Sequence, residues 1–195
     1  MTDMEPRTLL EFLAAAEKLK SRTRHSVTSD GRTESVAEHS WRLALMAMLL
    51  TDEFPEADMD KVVRMCLIHD LGEAVTGDIP AFLKTDDDRA VEDDAVSRLL
   101  TVLPESNRAE LRALFEEMGA QQSVEARLYK ALDKLEAVIQ HNEAPISSWL
   151  PLEYDLQLTH GVERCAFSPY LAALREVVRQ DTLDKIAREN PSRGT

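Results

Sequence analysis

Ile68-His69-Asp70-Leu71-Gly72-Glu73 lies near the end of a helix whose start the sequence places at Asp58. Behind it, Met59, Val62, Val63 and Cys66 recur at the spacing of one buried helical face. Steps of three and four from Cys66 land on His69 and Asp70, so the apolar stripe ends in an imidazole and a carboxylate. A charge carried inward needs a partner, because burying it alone is costly. A divalent cation is one such partner, since imidazole nitrogen and carboxylate oxygen both ligate it. A core histidine bonded to backbone beside a capping aspartate is the other reading, and His-Asp taken alone favours it. Glu73, four residues after His69 and three after Asp70, shares their face if the helix continues. Gly77 then terminates the helix, and Asp78 either points back over the site or serves as a turn residue beside Gly and Pro.

Upstream, Ser35-Val36-Ala37-Glu38 is a capping box. The helix it opens, through Trp41, Leu43, Leu45, Met46, Met48, Leu49 and Leu50, is apolar nearly all round, which predicts a buried central helix with His39 in its first turn. Residues 7–20 form an amphipathic helix, and a polar loop runs from Ser21 to about Glu34. Lys18, Lys20, Arg22, Arg24 and Arg32 make this stretch basic in an otherwise acidic chain, so it is the best anion-binding candidate, with a solvated loop carrying helix C-terminal cations as the equal alternative on charge alone. Downstream, Ser123 caps a helix from Val124 to about Asn142, with Leu128, Leu132, Leu135 and Ile139 as its core face. Asp133 lies beside that stripe, and Glu125 and Glu136 compete with it as the carboxylate that turns inward. Glu153 to Gly161 reads as a short helix, a last helix starts at Pro169, and Asn190 to Thr195 form a frayed tail. His141 and His160 follow no ligand spacing and read as surface or capping residues.

The 195 residues suit one domain, 1–195, with a core over about 8–142 and C-terminal helices at 146–190 packed on it or on a second copy. Six Gly, eight Pro and a wealth of Leu, Ala, Glu and Arg predict an all-α fold, a compact bundle of about seven to nine helices without a sheet. A net charge of −13 argues against a nucleic-acid polymer or an anionic membrane as partner. Cys66 and Cys165 form no CxxC grouping, and reduced thiols in a cytoplasmic protein are the simplest account. The residues before Leu9 are polar and acidic, unlike a signal peptide, and the apolar run Leu43–Leu50 is too short to span a bilayer.

His39, His69-Asp70 and Asp133 fall on three helices in the order H…HD…D, and in this the chain resembles the HD-domain metal-dependent phosphohydrolase superfamily. Ser-Val-Ala-Glu-His-Ser at 35–40, His-Asp-Leu-Gly-Glu-Ala at 69–74 and Thr-Gly-Asp-Ile-Pro at 76–80 are similar to its small 5′-deoxynucleotidase-like branch. The resemblance implies that His39, His69, Asp70 and Asp133 hold one divalent transition metal. Mixed N/O ligation suits Mn, Co, Fe, Ni or Zn. It implies Glu73 and Asp78 as catalytic acids, although Glu73 could instead hold His69, and Arg24 as the phosphate-binding arginine. The substrate it implies is a small phosphorylated molecule, a nucleoside 5′-monophosphate, and the assembly a homodimer. One departure stands out. Bacterial relatives carry a tryptophan after that arginine, which helps to exclude a ribose 2′-hydroxyl; here it is His25, a polar ring that can bond a hydroxyl. Relaxed sugar selectivity follows as an expectation. Two alternatives remain: another HD phosphohydrolase (a phosphodiesterase, or a dNTP or alarmone hydrolase), and a catalytically idle metal-binding scaffold.

Overall fold

A computed structural model describes residues 4–189; the tail from Asn190 to Thr195 lies outside the described residues. From the N-terminus, α1 (Pro6–Ala16) opens with a proline in its first turn and runs into a 3-10 turn at Glu17–Lys20. An antiparallel hairpin follows, β1 (Thr23–Val27) against β2 (Thr33–Ser35). Next come α2 (Val36–Leu49), α3 (Met59–Ile68), the single turn α4 (Glu73–Thr76) and α5 (Asp86–Leu100). They are followed by α6 (Glu105–Ala120), α7 (Val124–Glu143), α8 (Glu153–Thr159), the single turn α9 (Val162–Cys165) and α10 (Pro169–Glu189). Without the two single turns, the described residues hold eight α-helices, inside the expected range.

The centre is shared between α2, α3 and α7. Leu128, Ala131, Leu132 and Leu135 of α7 are wholly buried against Leu43 and Ala47 of α2, Val62, Met65 and Cys66 of α3, and Leu171 of α10. Each such leucine contributes about 1.5–3 kcal/mol by leaving water. Both predicted N-caps are made: Ser35 exchanges side-chain and backbone bonds with Glu38, and Ser123 Oγ accepts from Ala126 N–H at 3.1 Å. α2 is not buried all round, however. Trp41, Met48 and Leu49 are 63, 60 and 75% exposed, because only the His39–Leu43–Ala47 side of the helix faces the core and the opposite side faces solvent. Cys66 and Cys165 are buried and unpaired, and no described helix is long and apolar enough to cross a membrane.

Two further expectations are corrected. The stretch read as a polar loop is a β-hairpin. Asp30-Gly31, with Gly31 at φ +83°, makes its turn, closed by a 2.7 Å bond from Thr28 N–H to Arg32 C=O. Asp-Gly is a hairpin signal, but the strands around it are polar and lack the alternation that marks a sheet. Thr23 pairs with Ser35 and Val27 with Thr33, so Arg24, His25 and Ser26 oppose Glu34 alone. That bulge twists the strand and re-aims its side chains.

The His69-Asp70 helix also stops early. α3 ends at Ile68, a tight turn follows with Leu71 N–H on Ile68 C=O at 2.9 Å, and Glu73 begins α4 instead of continuing α3. Gly72 lets this turn lie on α5: a Cβ there would stand 2.6 Å from Glu92 Cγ and 2.9 Å from the Glu92 carbonyl oxygen. Gly72→Ala is therefore expected to destabilise the fold by about 1–3 kcal/mol in urea denaturation. Gly119→Ala, within α6 and with nothing near the added methyl, should instead stabilise it by about 0.5–1 kcal/mol. Equal stability of the two variants would contradict the close approach of α4 and α5.

Candidate active site

His39 follows directly on the capping box of α2 and is wholly buried. Its Nδ1 meets the Glu136 carboxylate, and a proton on Nδ1 leaves Nε2 as a bare lone pair. His69, at the end of α3, donates its Nδ1–H to the Cys66 carbonyl at 2.8 Å, with the same consequence. Both Nε2 atoms are buried without a hydrogen-bond partner. Asp133 Oδ1 stands 3.4 Å from the first and 3.9 Å from the second, and Asp70 Oδ2 stands 3.0 Å from His69 Nε2. Ligand atoms of His39, His69 and Asp70 all lie within 4.8 Å of one another.

Two donors bonded at about 2.1 Å to one transition metal sit about 3 to 4 Å apart. Asp133 Oδ1 has that spacing to both histidines and Asp70 Oδ2 to His69, while the mutually close group of His39, His69 and Asp70 does not include Asp133. Two buried lone pairs with no donor to receive are costly as they stand, and a cation is what satisfies them. Two neutral imidazoles and two carboxylates balance a divalent charge. The donor set therefore fits the group that the sequence led us to expect there.

Asp133 and Glu136 both turn inward, one turn apart on α7, and take different places. Asp133 faces the Nε2 side of the histidines, while Glu136 backs His39 from the Nδ1 side. Glu125 does neither; it accepts from the Asp58 backbone N–H at 3.0 Å. Burial works against the Asp133 charge, but Lys130 at 3.0 Å and Lys134 at 3.6 Å hold its carboxyl well below the ordinary range.

Arg24 reaches the same place from the bulged strand. Its Nε lies 3.2 Å from Glu34 and its Nη1 3.5 Å from Asp70 Oδ2. Burial opposes its charge, and Asp70, Glu34 and Asp78 more than offset that. Glu34 itself is pushed up to about 7 by burial and by Glu136. Glu73 is buried, with Oε1 3.4 Å from Lys84 Nζ and Oε2 unpartnered. Burial, with the charges of Asp70 and Asp78 beside it, pushes its carboxyl up to about 9. Asp78 follows Gly77, whose φ of +79° turns the chain back, and burial lifts its carboxyl against the pull of Arg24.

Arg24, His25, Asp70, Glu73, Asp78 and Asp133 all border one cleft of about 170 Å³. Two histidines read as surface or capping residues border it too: His160 does cap α8, its N–H on the Leu156 C=O at 2.8 Å, whereas His141 is buried, which corrects the reading for that residue. His141 is buried with Nε2 3.1 Å from Glu153, and His160 is driven down to about 4 by burial and by Lys134. Lys84, Lys130, Lys134 and Glu153 also line the cleft and were not anticipated. Lys130 and Lys134, one turn apart around Asp133, could have been found by helical spacing. Glu153 could not, because nothing local marks the start of α8 as facing this cleft.

The family model for the HD domain matches residues 16–175. The chain belongs to the HD-domain family. A human HD-domain relative named 5′-deoxynucleotidase HDDC2 is 38% identical over 141 residues, 70% of this chain and 68% of its own length. A Dictyostelium discoideum protein of the same name is 31% identical over 144 residues, 69% of this chain and 76% of its own. The crystal structure of a predicted metal-dependent phosphohydrolase from Magnetospirillum magnetotacticum superposes with a TM-score of 0.77 at 31% identity, covering 92% of this chain and 95% of that one. The likeness extends over the C-terminal helices as well as the motif-bearing core.

Chelator-stripped protein is expected to gain thermal stability when a divalent transition metal is restored, by about 2.7 kcal/mol at a hundred times the dissociation constant. His39→Ala or Asp133→Ala should remove most of that gain. An undiminished metal-induced shift in both variants would place the cation elsewhere.

Proposed function

We propose that this HD-domain chain is a metal-dependent phosphoric monoester hydrolase of the 5′-deoxynucleotidase type. It releases phosphate from deoxynucleoside and, through His25, also ribonucleoside 5′-monophosphates. The observation that carries this is one cleft lined by Asp70, Asp133, Arg24 and Glu73, whose carboxyl is pushed up, with the two buried bare imidazole nitrogens directly beside its aspartates. The names of the relatives point the same way.

His39, His69, Asp70 and Asp133 would hold one Mn, Co, Fe, Ni or Zn ion. When bound, that ion supplies Lewis-acid polarisation of a phosphoryl group and acidifies water. Arg24, reaching to Asp70, offers its guanidinium to the phosphate dianion and orients it. Glu73 holds a proton at neutral pH and has Oε2 bare, so it is suited to protonate the departing 5′-oxygen. Asp78, on the same loop as Lys84, holds substrate and water near the metal ligands. Glu136 keeps His39 in the tautomer that leaves Nε2 free.

The working unit is one HD domain over residues 1–195, with 8–142 as its catalytic core and 146–190 packed on it. Leu171 and Val178 of α10, sunk into the same core as α7, support that arrangement. The exposed stripe of Trp41, Leu45, Met48 and Leu49 on α2 supports a homodimer, and the two unpaired cysteines support a cytoplasmic setting.

Phosphate release from a panel of nucleoside monophosphates, with each metal in turn, tests the reading. Wild-type protein is expected to hydrolyse dAMP. Glu73→Gln should lower kcat by about 10²–10⁴-fold, and Arg24→Ala should act on KM as well as kcat. Release from no nucleotide despite bound metal would instead make the chain a metal-binding scaffold.

A further inference from the structure

Away from the two histidines and two aspartates, the far wall of the cleft carries a second polar constellation. Glu153, at the start of α8, is 2% exposed. Its Oε1 lies 3.0 Å from His25 Nε2 on β1, and its Oε2 lies 3.1 Å from His141 Nε2 on α7. The Leu150 N–H adds a 2.6 Å bond to Oε2. Burial works against the charge, yet His141, the Leu150 N–H and His25 hold the carboxyl below its ordinary range, so it is ionised. Unlike His69, whose Nδ1–H is committed to the Cys66 carbonyl, His25 has its ionised carboxylate on the Nε2 side, 3.0 Å away, which favours the tautomer with the proton there. Nε2 of His25 is therefore the protonated nitrogen, and in the neutral ring Nδ1 is an acceptor. The ring is also held in place by the edge-on Phe82, at 5.9 Å, and by the near-parallel His141, at 6.2 Å.

The bulge in β1 brings consecutive side chains, Arg24 and His25, to the same cleft. With a phosphate on Arg24, the part of a nucleotide that comes next is the sugar, not the base. We propose that Glu153 is a specificity-determining positioning residue: by fixing the protonated Nε2 of His25, it presents Nδ1 as the acceptor for a sugar hydroxyl. Acceptance of ribonucleotides then depends on a carboxylate that touches neither the substrate phosphate nor the metal ligands. The inference rests on the nucleoside-monophosphate reading above.

The test is the ratio of kcat/KM for AMP to that for dAMP, a readout in which loss of folded protein cancels. Glu153→Leu removes both acceptor oxygens at similar volume and should lower the ratio about tenfold, the size of one hydrogen bond. Glu153→Gln, which keeps one oxygen for His25, should restore most of it. His25→Phe keeps a ring without the acceptor and should lower the ratio as Glu153→Leu does, so it carries the test alone if the leucine variant does not fold. A ratio unchanged from wild type in His25→Phe, or in a folded Glu153→Leu, overturns the proposal. Calorimetric binding of AMP and dAMP to the metal-loaded protein separates the two readings. Preferential weakening of AMP binding in the variants supports the proposal even where no phosphate is released, whereas binding of neither nucleotide to wild type overturns both.

Discussion

Two imidazole lone pairs held out of water are the constraint around which this molecule is arranged. Nε2 of His39 and of His69 are buried, and each is kept bare because the opposite ring nitrogen is committed, one to Glu136 and one to the Cys66 carbonyl. Such an arrangement survives only in a scaffold rigid enough to prevent the rings from turning to other partners. The leucines of α7 supply that rigidity, packed against the inner faces of α2 and α3. The same helix carries Asp133 to the open side of the histidines and Glu136 to the closed side, so one element both packs the core and sets the donor geometry.

Charge is partitioned around this centre. Burial works against the charges of Asp70 and Asp133, yet both carboxyls are held below the ordinary range, the first by His69 with Arg24 beside it and the second by Lys130 and Lys134. Burial, with Asp70 and Asp78 beside it, outweighs the single lysine near Glu73 and pushes its carboxyl up. Carboxyl groups of one chemical kind are thus driven to opposite protonation states within a cleft of about 170 Å³. That separation of roles between acids is how a site carries out proton transfer near neutral pH.

Much of this was legible in the sequence where a residue's role is set by its own helix. The capping box at Ser35, the N-cap at Ser123, the stripe behind His69 and the short helix at Glu153 all follow from local chemistry and period. What the sequence hid was set by contacts between distant segments. The break before Glu73 depends on Gly72 meeting α5, a partner twenty residues on. The hairpin is polar, so its hydrophobic pattern is silent and only Asp30-Gly31 signals it. His141 looked like a surface residue because its partner, Glu153, belongs to a different helix. The choice between Asp133 and Glu136 could not be made from periodicity, since both turn inward and only their distances to His39 tell them apart.

The irregular pairing of β1 and β2 has a further consequence for how such a protein can change over time. The candidate donors for a cation sit on α2, on α7 and in the turn that ends α3, whereas Arg24, His25 and Ser26 reach the cleft from a short, polar, bulged ribbon. Residues on that ribbon can be exchanged, or its turn at Thr28–Arg32 lengthened, without moving a helix axis. Chemistry and choice of molecule are carried by separable parts. A lineage built on this plan can explore new substrates while its hydrolytic apparatus stays as it is.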